Sequence, residues 1–125
     1  MVTMSGKVSQ FSDKKYINLE TYRKSGKAVC TPVWFVVHND TIYIITTKET
    51  GKVKRIRNNQ AVRVAPCGFR GEIKGEWVSG TARFAEKDES EKALALRKKK
   101  YGLQARLVGA IVARKGEPVV IAISI

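Results

Sequence analysis

The clearest chemistry in the chain lies where a run of basic residues follows small polar ones. Thr46 to Asn59 reads T-T-K-E-T-G-K-V-K-R-I-R-N-N and holds five basic residues and one acid. The pattern is that of a strand end, a polar loop and the first turns of a helix. Thr50 is placed as the N-cap, with a hydroxyl able to accept from the unpaired N–H groups of the first turn. Gly51 leaves the backbone uncovered beside it. Free N–H groups, the positive end of the helix dipole and the Lys52 ammonium then converge on one spot, the outline of an anion site. At ~100° per residue, Val53 and Ile56 form the buried face, Lys52 and Arg55 flank it on one side, and Arg57 flanks it on the other. Lys52, and Arg55 after it, are the candidate ligand contacts, while Lys54 points outward. A solvated charge run on a surface helix accounts for the same residues equally well. The segment is not a Walker loop, because Val53 stands where that motif needs Ser or Thr.

Other reactive residue types are sparse. His38 is the single histidine and falls in H-N-D, a hairpin turn between two strand-like runs. No metal-ligand spacing exists around it, so no metal site is expected. Cys30 and Cys67 sit in apolar runs and are read as free thiols of a cytoplasmic chain, since Met1 to Lys15 has no apolar signal-like core. No nucleophile–base pair stands out, and no catalytic residue is named. The 125 residues are 43% hydrophobic, enough for one domain, 1–125, with its own core. A formal net charge of +13 favours an anionic partner: nucleic acid, an acidic membrane surface or a polyanionic small molecule. The longest apolar stretch, Leu107 to Ile125, is interrupted by Arg114, Lys115, Glu117 and Pro118, so no membrane span is expected.

The elements that must position the basic run are mostly strands. Tyr16–Tyr22 alternates, with Ile17, Leu19 and Thr21 on one side. After a turn at Gly26, Ala28–Val37 is apolar on both faces and is expected to be covered on both. Pro32 inside it suggests an edge, a bulge or a point where the strand turns to a ligand. Thr41–Thr47, Ala61–Cys67, a long Ile73–Ala85 and Val119–Ile125 complete six strands. Gly80 marks a bend or a close backbone approach. One helix follows the third strand. A second opens at Asp88, with Glu91 as its capping-box partner, and stops at Gly102. A further helical piece is expected over Leu103–Ala113, and a short helix or arm before Lys15 with Val8 and Phe11 as anchors. Six mostly antiparallel strands with two inserted helices suit a small barrel.

Several of these stretches, in this order, resemble the pyridoxamine 5′-phosphate oxidase superfamily of flavin- and deazaflavin-binding split barrels, in particular its small coenzyme F420 branch. They are T-P-V-W-F-V from Thr31, T-G-K-V-K-R-I-R-N-N from Thr50, V-R-V-A-P-C from Val62, G-E-W-V-S-G-T-A-R from Gly75 and K-Y-G-L from Lys100. The likeness covers nearly all the chain from Tyr16 onward. It departs at Gln60, where the family usually has proline, and in a weakly represented N-terminal helix. The resemblance implies a six-stranded antiparallel, Greek-key split β-barrel of the FMN-binding type. It implies a homodimer with FMN or F420 at the subunit interface. Val29, Cys30, Thr31, Pro32, Val33 and Trp34 would lie along the ring. Thr46 and Thr47 would sit beside the phosphate, and Gly51 and Lys52 would bind it. Trp77 would reach the site from the partner subunit, although packing in the dimer core explains that residue as well.

The function so implied is hydride transfer between the ring and an unidentified small molecule, with the protein supplying orientation and electrostatics. Arg55 and Arg57, with Lys52, make a basic surface suited to the oligoglutamate tail of F420. A flavin or deazaflavin carrier or sensor without robust catalysis is the alternative within the same fold. A basic barrel that binds nucleic acid is the alternative outside it. The only candidates for aromatics on exposed strand faces interleaved with basic residues are Tyr22 beside Arg23-Lys24 and Tyr43 near Lys48, so that reading is the weaker one.

Overall fold

Alternation along the chain becomes inside and outside of a curled sheet. Ile17, Leu19 and Thr21 turn inward from β1 (Tyr16–Tyr22), as Val62 and Val64 do from β5 (Ala61–Cys67), and all five are buried. The computed structural model describes residues 9–11, 14–102 and 118–125. Its other strands are β2 (Ala28–Trp34), β3 (Val36–His38), β4 (Thr41–Thr47), β6 (Val78–Phe84) and β7 (Pro118–Ser124). The helices are α1 (Gly51–Asn58) and α2 (Lys87–Tyr101). All seven strands form one sheet in the order β2-β1-β5-β6-β7-β4-β3, antiparallel throughout. β5, β6 and β7 are neighbours in sequence and space, and β4, which leads through α1 into β5, lies beside β7, a Greek-key arrangement.

The expected count of six strands becomes seven because the second strand divides at Phe35. Its two pieces, β2 and β3, are the opposite edges of the sheet, so one bent strand closes the sheet on itself. The corner is held from α2. The Phe35 N–H donates to the Tyr101 hydroxyl (3.1 Å), and the Phe35 carbonyl accepts from Lys100 Nζ (2.9 Å). The Tyr101 hydroxyl lies 2.9 Å from that carbonyl and 2.7 Å from the carbonyl of Lys15. Polar groups that leave the strand ladder at Phe35 are thereby satisfied inside the protein. The Phe35 ring turns inward and meets Phe11 edge-on at 6.0 Å.

Beyond the corner the barrel is split. β3 pairs with Thr41, Ile42 and Tyr43 of β4, while Ile44–Thr47 have β7 on one side and no strand of the described residues on the other. β2 pairs only with β1. The free edges of β2 and of the second half of β4 therefore bound a gap, each with a row of unladdered backbone groups. The inner core fills the barrel, and α1 plugs one end with Val53 and Ile56. A second cluster, including Val36, Tyr43, Val120 and Ala122, lies outside the sheet beneath Ala93 and Tyr101 of α2.

Other expectations shift for local reasons. The long strand Ile73–Ala85 shortens to β6, leaving Ile73 as an isolated bridge to Cys67. Gln10 intervenes, because its side-chain amide takes both the N–H and the carbonyl of Glu76 (3.1 and 3.0 Å) in place of a strand. The outer face of β2 is not covered, since Ala28, Cys30 and Pro32 are exposed. Pro32 is tolerated because β2 is an edge. The α2 N-cap is Glu86 rather than Asp88, and the Glu89 carboxylate engages Arg83 (2.6 and 2.7 Å) and Tyr43 (2.8 Å). Asn39 and Asp40, with φ of 49° and 60°, form the tight β3–β4 turn. Val8 and the Leu103–Ala113 helix lie outside the described residues.

Candidate functional site

At the start of α1 the structure gathers hydroxyls and cations of one short segment, Thr46 to Arg55, against Thr21 of β1. Thr50 is the N-cap by backbone geometry, but its hydroxyl caps nothing and donates instead to the Thr47 carbonyl (3.0 Å). The first-turn N–H groups are left without a side-chain acceptor. Thr46 Oγ1 donates to Thr50 Oγ1 (3.3 Å), and Lys52 Nζ donates to Thr46 Oγ1 (3.5 Å). The hydroxyl protons thus run away from the ammonium, which keeps further donors free. Arg55 is tied through Nε to Thr21 of β1 (2.6 Å). Its guanidinium folds back over Gly51, where a methyl group would lie 2.7 Å from Nη1. Absence of a Cβ at Gly51 is what admits Arg55 to the helix start.

The electrostatics of this end are unbalanced. Burial, and then the nearby Arg55 charge, lower the Lys52 pKa from its ordinary value. Burial and Arg23 do the same to Arg55. Among the described residues neither cation has a carboxylate partner, unlike Arg63 and Arg83, which pair with Glu20 and Glu89. Such a cluster is strained as it stands and is relieved by an anion.

The other end of the split is aromatic. Pro32, Val33, Trp34 and Phe35 from the bent strand, with Tyr16, Ile45 and Arg97, line a cavity of about 330 Å³. The Trp34 indole is stacked on the Tyr101 ring, centroids 4.2 Å apart and 5° from parallel. Ile45, which lines this cavity, is followed in β4 by Thr46 and Thr47 beside the α1 start, so one strand edge joins the two. On β2, Val29 and Thr31 are half-buried and Cys30 is exposed.

The remaining predicted residues stand elsewhere. Arg57 is exposed, with its guanidinium 5.9 Å from the Phe84 ring centroid on β6. Trp77 lies on the outer side of the sheet, its ring 5.0 Å from the Arg63 guanidinium. There Arg63 forks onto Glu20 (2.8 and 3.0 Å), which also accepts from Tyr22 (2.7 Å) and faces the Cys30 thiol at 3.6 Å. The Arg63 hydrogen bond dominates and brings the Glu20 pKa down to about 2. Partial burial, then the Glu20 charge, push the Cys30 thiol up, so it is a poor nucleophile. Cys30 and Cys67 are both free thiols. Among the described residues no cluster suits a metal ion and no helix is long and apolar enough to cross a membrane.

Arg97 was not among the residues expected at the site. The signal was present, since Arg97 is four residues from both Ala93 and Tyr101, the buried positions of α2. Helical spacing puts it on the same stripe.

Fold and geometry together define a split β-barrel with an uncapped helix start and two cations beside its split. The chain belongs to the pyridoxamine 5′-phosphate oxidase family, whose profile matches residues 4–125. No curated protein matches it. Among solved structures it is similar to the heme storage protein HutZ of Vibrio cholerae, with a TM-score of 0.72 at 12% identity, over 97% of this chain and 89% of that one. It is also similar to a Listeria innocua protein provisionally named a pyridoxamine 5′-phosphate oxidase (TM-score 0.68, 18% identity, 94% and 88% covered). A third is a FAD-binding protein of Mesorhizobium loti (TM-score 0.64, 14% identity, 98% and 88% covered). At these identities the likeness is one of fold.

Proposed function

We propose that this chain, as a single domain, binds FMN or coenzyme F420 in the split of its barrel and acts as an oxidoreductase on a small molecule. The observation that carries this reading is the pairing, on one split, of two unpartnered cations at an uncapped helix start with an aromatic-walled cavity. A flavin or deazaflavin phosphate fits the first end: Lys52 and Arg55 would neutralise it beside Thr46, Thr47 and Gly51. The free backbone edge of Val29–Trp34 suits the polar rim of a flat ring. When bound, the ring supplies hydride transfer. The chain's own groups would hold, orient and shield it, consistent with a cleft where the described residues present no acid–base pair.

A homodimer is part of the proposal. The outer face of β2 is uncovered, and Phe69 and Ile73 nearby expose 73% and 43% of their surface. A second copy over that face would bring its Trp77 toward the split. The exposed Arg57 and the +13 charge favour a cofactor with a polyanionic tail over one that ends at the phosphate. Free thiols at Cys30 and Cys67 agree with a cytoplasmic setting. Carriage of the cofactor without turnover is the second reading, favoured by the same lack of an acid–base pair.

The test is a parallel fluorescence titration of the cofactor-free protein with the deazaflavin coenzyme and with FMN. Saturable, stoichiometric binding of either is expected, and the tighter of the two names the cofactor. Binding of neither would overturn the reading. A bound cofactor that no small acceptor or donor can reduce or oxidise would leave carriage in place of catalysis.

A further inference from the structure

A second cavity, of about 350 Å³, lies between β3 and the last turns of α2. Phe11, Phe35, Val36, Val37 and Leu96 are its apolar lining, and Lys99 and Lys100 are its cations. Among lining residues it shares only Phe35 with the cavity of the split. Phe11 and Phe35 are fully buried and meet edge-on at 76°. Lys100 Nζ stands over the Phe35 ring, 3.6 Å from its centroid. That face of Phe35 is therefore taken, and the remaining surface is the branched aliphatic one of Val36, Val37 and Leu96. Both lysines are exposed along their stems, while the Lys100 ammonium is drawn in against Phe35, where it donates to the carbonyl (2.9 Å). An ammonium has three donors, so that one bond leaves others for a ligand. Burial lowers the Lys100 pKa to about 8, and among the described residues no carboxylate pairs with either lysine. A cation half drawn into apolar surroundings without a counter-charge is costly, and an anion beside it removes part of that cost.

We infer that this second cavity is a binding site for a compact aliphatic molecule with one carboxylate, its body against Val36, Val37 and Leu96 and its charge on Lys100 and Lys99. The volume is of the order found for small-molecule sites, and the mix of apolar walls with a few charged groups is theirs as well. Ammonium groups act as point charges and set no plane for the ligand, in keeping with a bulky body rather than a flat one. The site stands apart from the proposed cofactor cleft and does not depend on it. Occupancy bears on the fold, because Lys100 also holds the Phe35 corner.

Calorimetry with adamantane-1-carboxylate and adamantane-1-carboxamide, which differ in charge but hardly in shape, tests it. Wild-type protein is expected to bind the carboxylate about tenfold more tightly than the amide. Lys100→Met should bring the two together, whereas Lys100→Arg should keep the preference. A loosened corner would weaken both probes alike and leave their ratio intact, so the ratio reads the charge. Leu96→Trp, which fills the cavity, should weaken both. Equal binding by the wild type, no binding of the carboxylate, or a preference that survives Lys100→Met would overturn the inference. Should Lys100→Met fail to fold, the wild-type ratio and Leu96→Trp still decide it. Repeating the titration with FMN or the deazaflavin present separates the two cavities. Unchanged carboxylate binding is expected, and competition would place the probe in the split and overturn the inference. If neither cofactor binds while the carboxylate preference holds, the cofactor reading fails and the second cavity stands.

Discussion

Lys52 donates to Thr46 and, among the described residues, to nothing anionic, and burial, then the neighbouring Arg55 charge, lower its proton affinity. A bound phosphate would answer both charges at once. Lys52→Ala should therefore weaken FMN or deazaflavin binding by about 1.5–3 kcal/mol, the worth of a charge-assisted contact. An unchanged dissociation constant in the fluorescence titration would remove Lys52 from the site. Glu20 makes a prediction about acid. Its folded pKa is held down at about 2, chiefly by the hydrogen bond from Arg63, below the ordinary 4.5. The unfolded chain thus binds the proton more readily. Glu20 contributes its stability in full above pH 4.5 and loses it as the pH falls toward 2. The gap in melting temperature between wild type and Glu20→Gln should narrow across that window. A gap constant from pH 6 to pH 2.5 would show that the Arg63 pair adds nothing.

Among the elements, β6 runs so close to β7 that Gly80 has no room for a side chain. A Cβ there would lie 2.9 Å from the Ser124 carbonyl oxygen and 3.0 Å from Ile123 Cγ2. Gly80→Ala should cost about 1–3 kcal/mol by overcrowding, read as a lowered denaturant midpoint with an unchanged slope. Wild-type stability in that variant would mean the strands part easily. The close approach was legible in the sequence as a glycine within a strand pattern, and so was α1, because Val53 and Ile56 share a face and Thr50-Gly51 precede them. The corner at Phe35 was not. Nothing local ends the strand there; Lys100 and Tyr101, some 65 residues later, take its backbone groups. The late start of β6, at Val78 rather than Ile73, was hidden for the same reason, since Gln10 takes the backbone of Glu76 from far off in the sequence. Local periodicity reports which faces are apolar, and distant partners decide where a strand turns. The anion end of the site was therefore readable, being built within one short segment, whereas Arg97 needed the packing of α2 to be noticed.

The whole molecule carries an uncovered β2 face, exposed Phe69 and Ile73, and a split open on one side. Light scattering should give twice the chain mass at micromolar concentration. A monomeric mass would sink the two-subunit site, and with it the role given to Trp77. Phe69→Asp should shift the balance toward monomer, which the same measurement reads. The bent strand has a mechanical side as well. From Phe35 the seven residues of β2 reach out as an arm of roughly 20 Å at about 3.3 Å per residue. A rotation of about 5° at the corner would swing the far tip by roughly 2 Å by simple leverage over that length. The pivot is clamped by Tyr101, on the same helix that carries Arg97. Because β2 is laddered to β1 along its whole length, a pull on that helix would pass through the corner to both strands together.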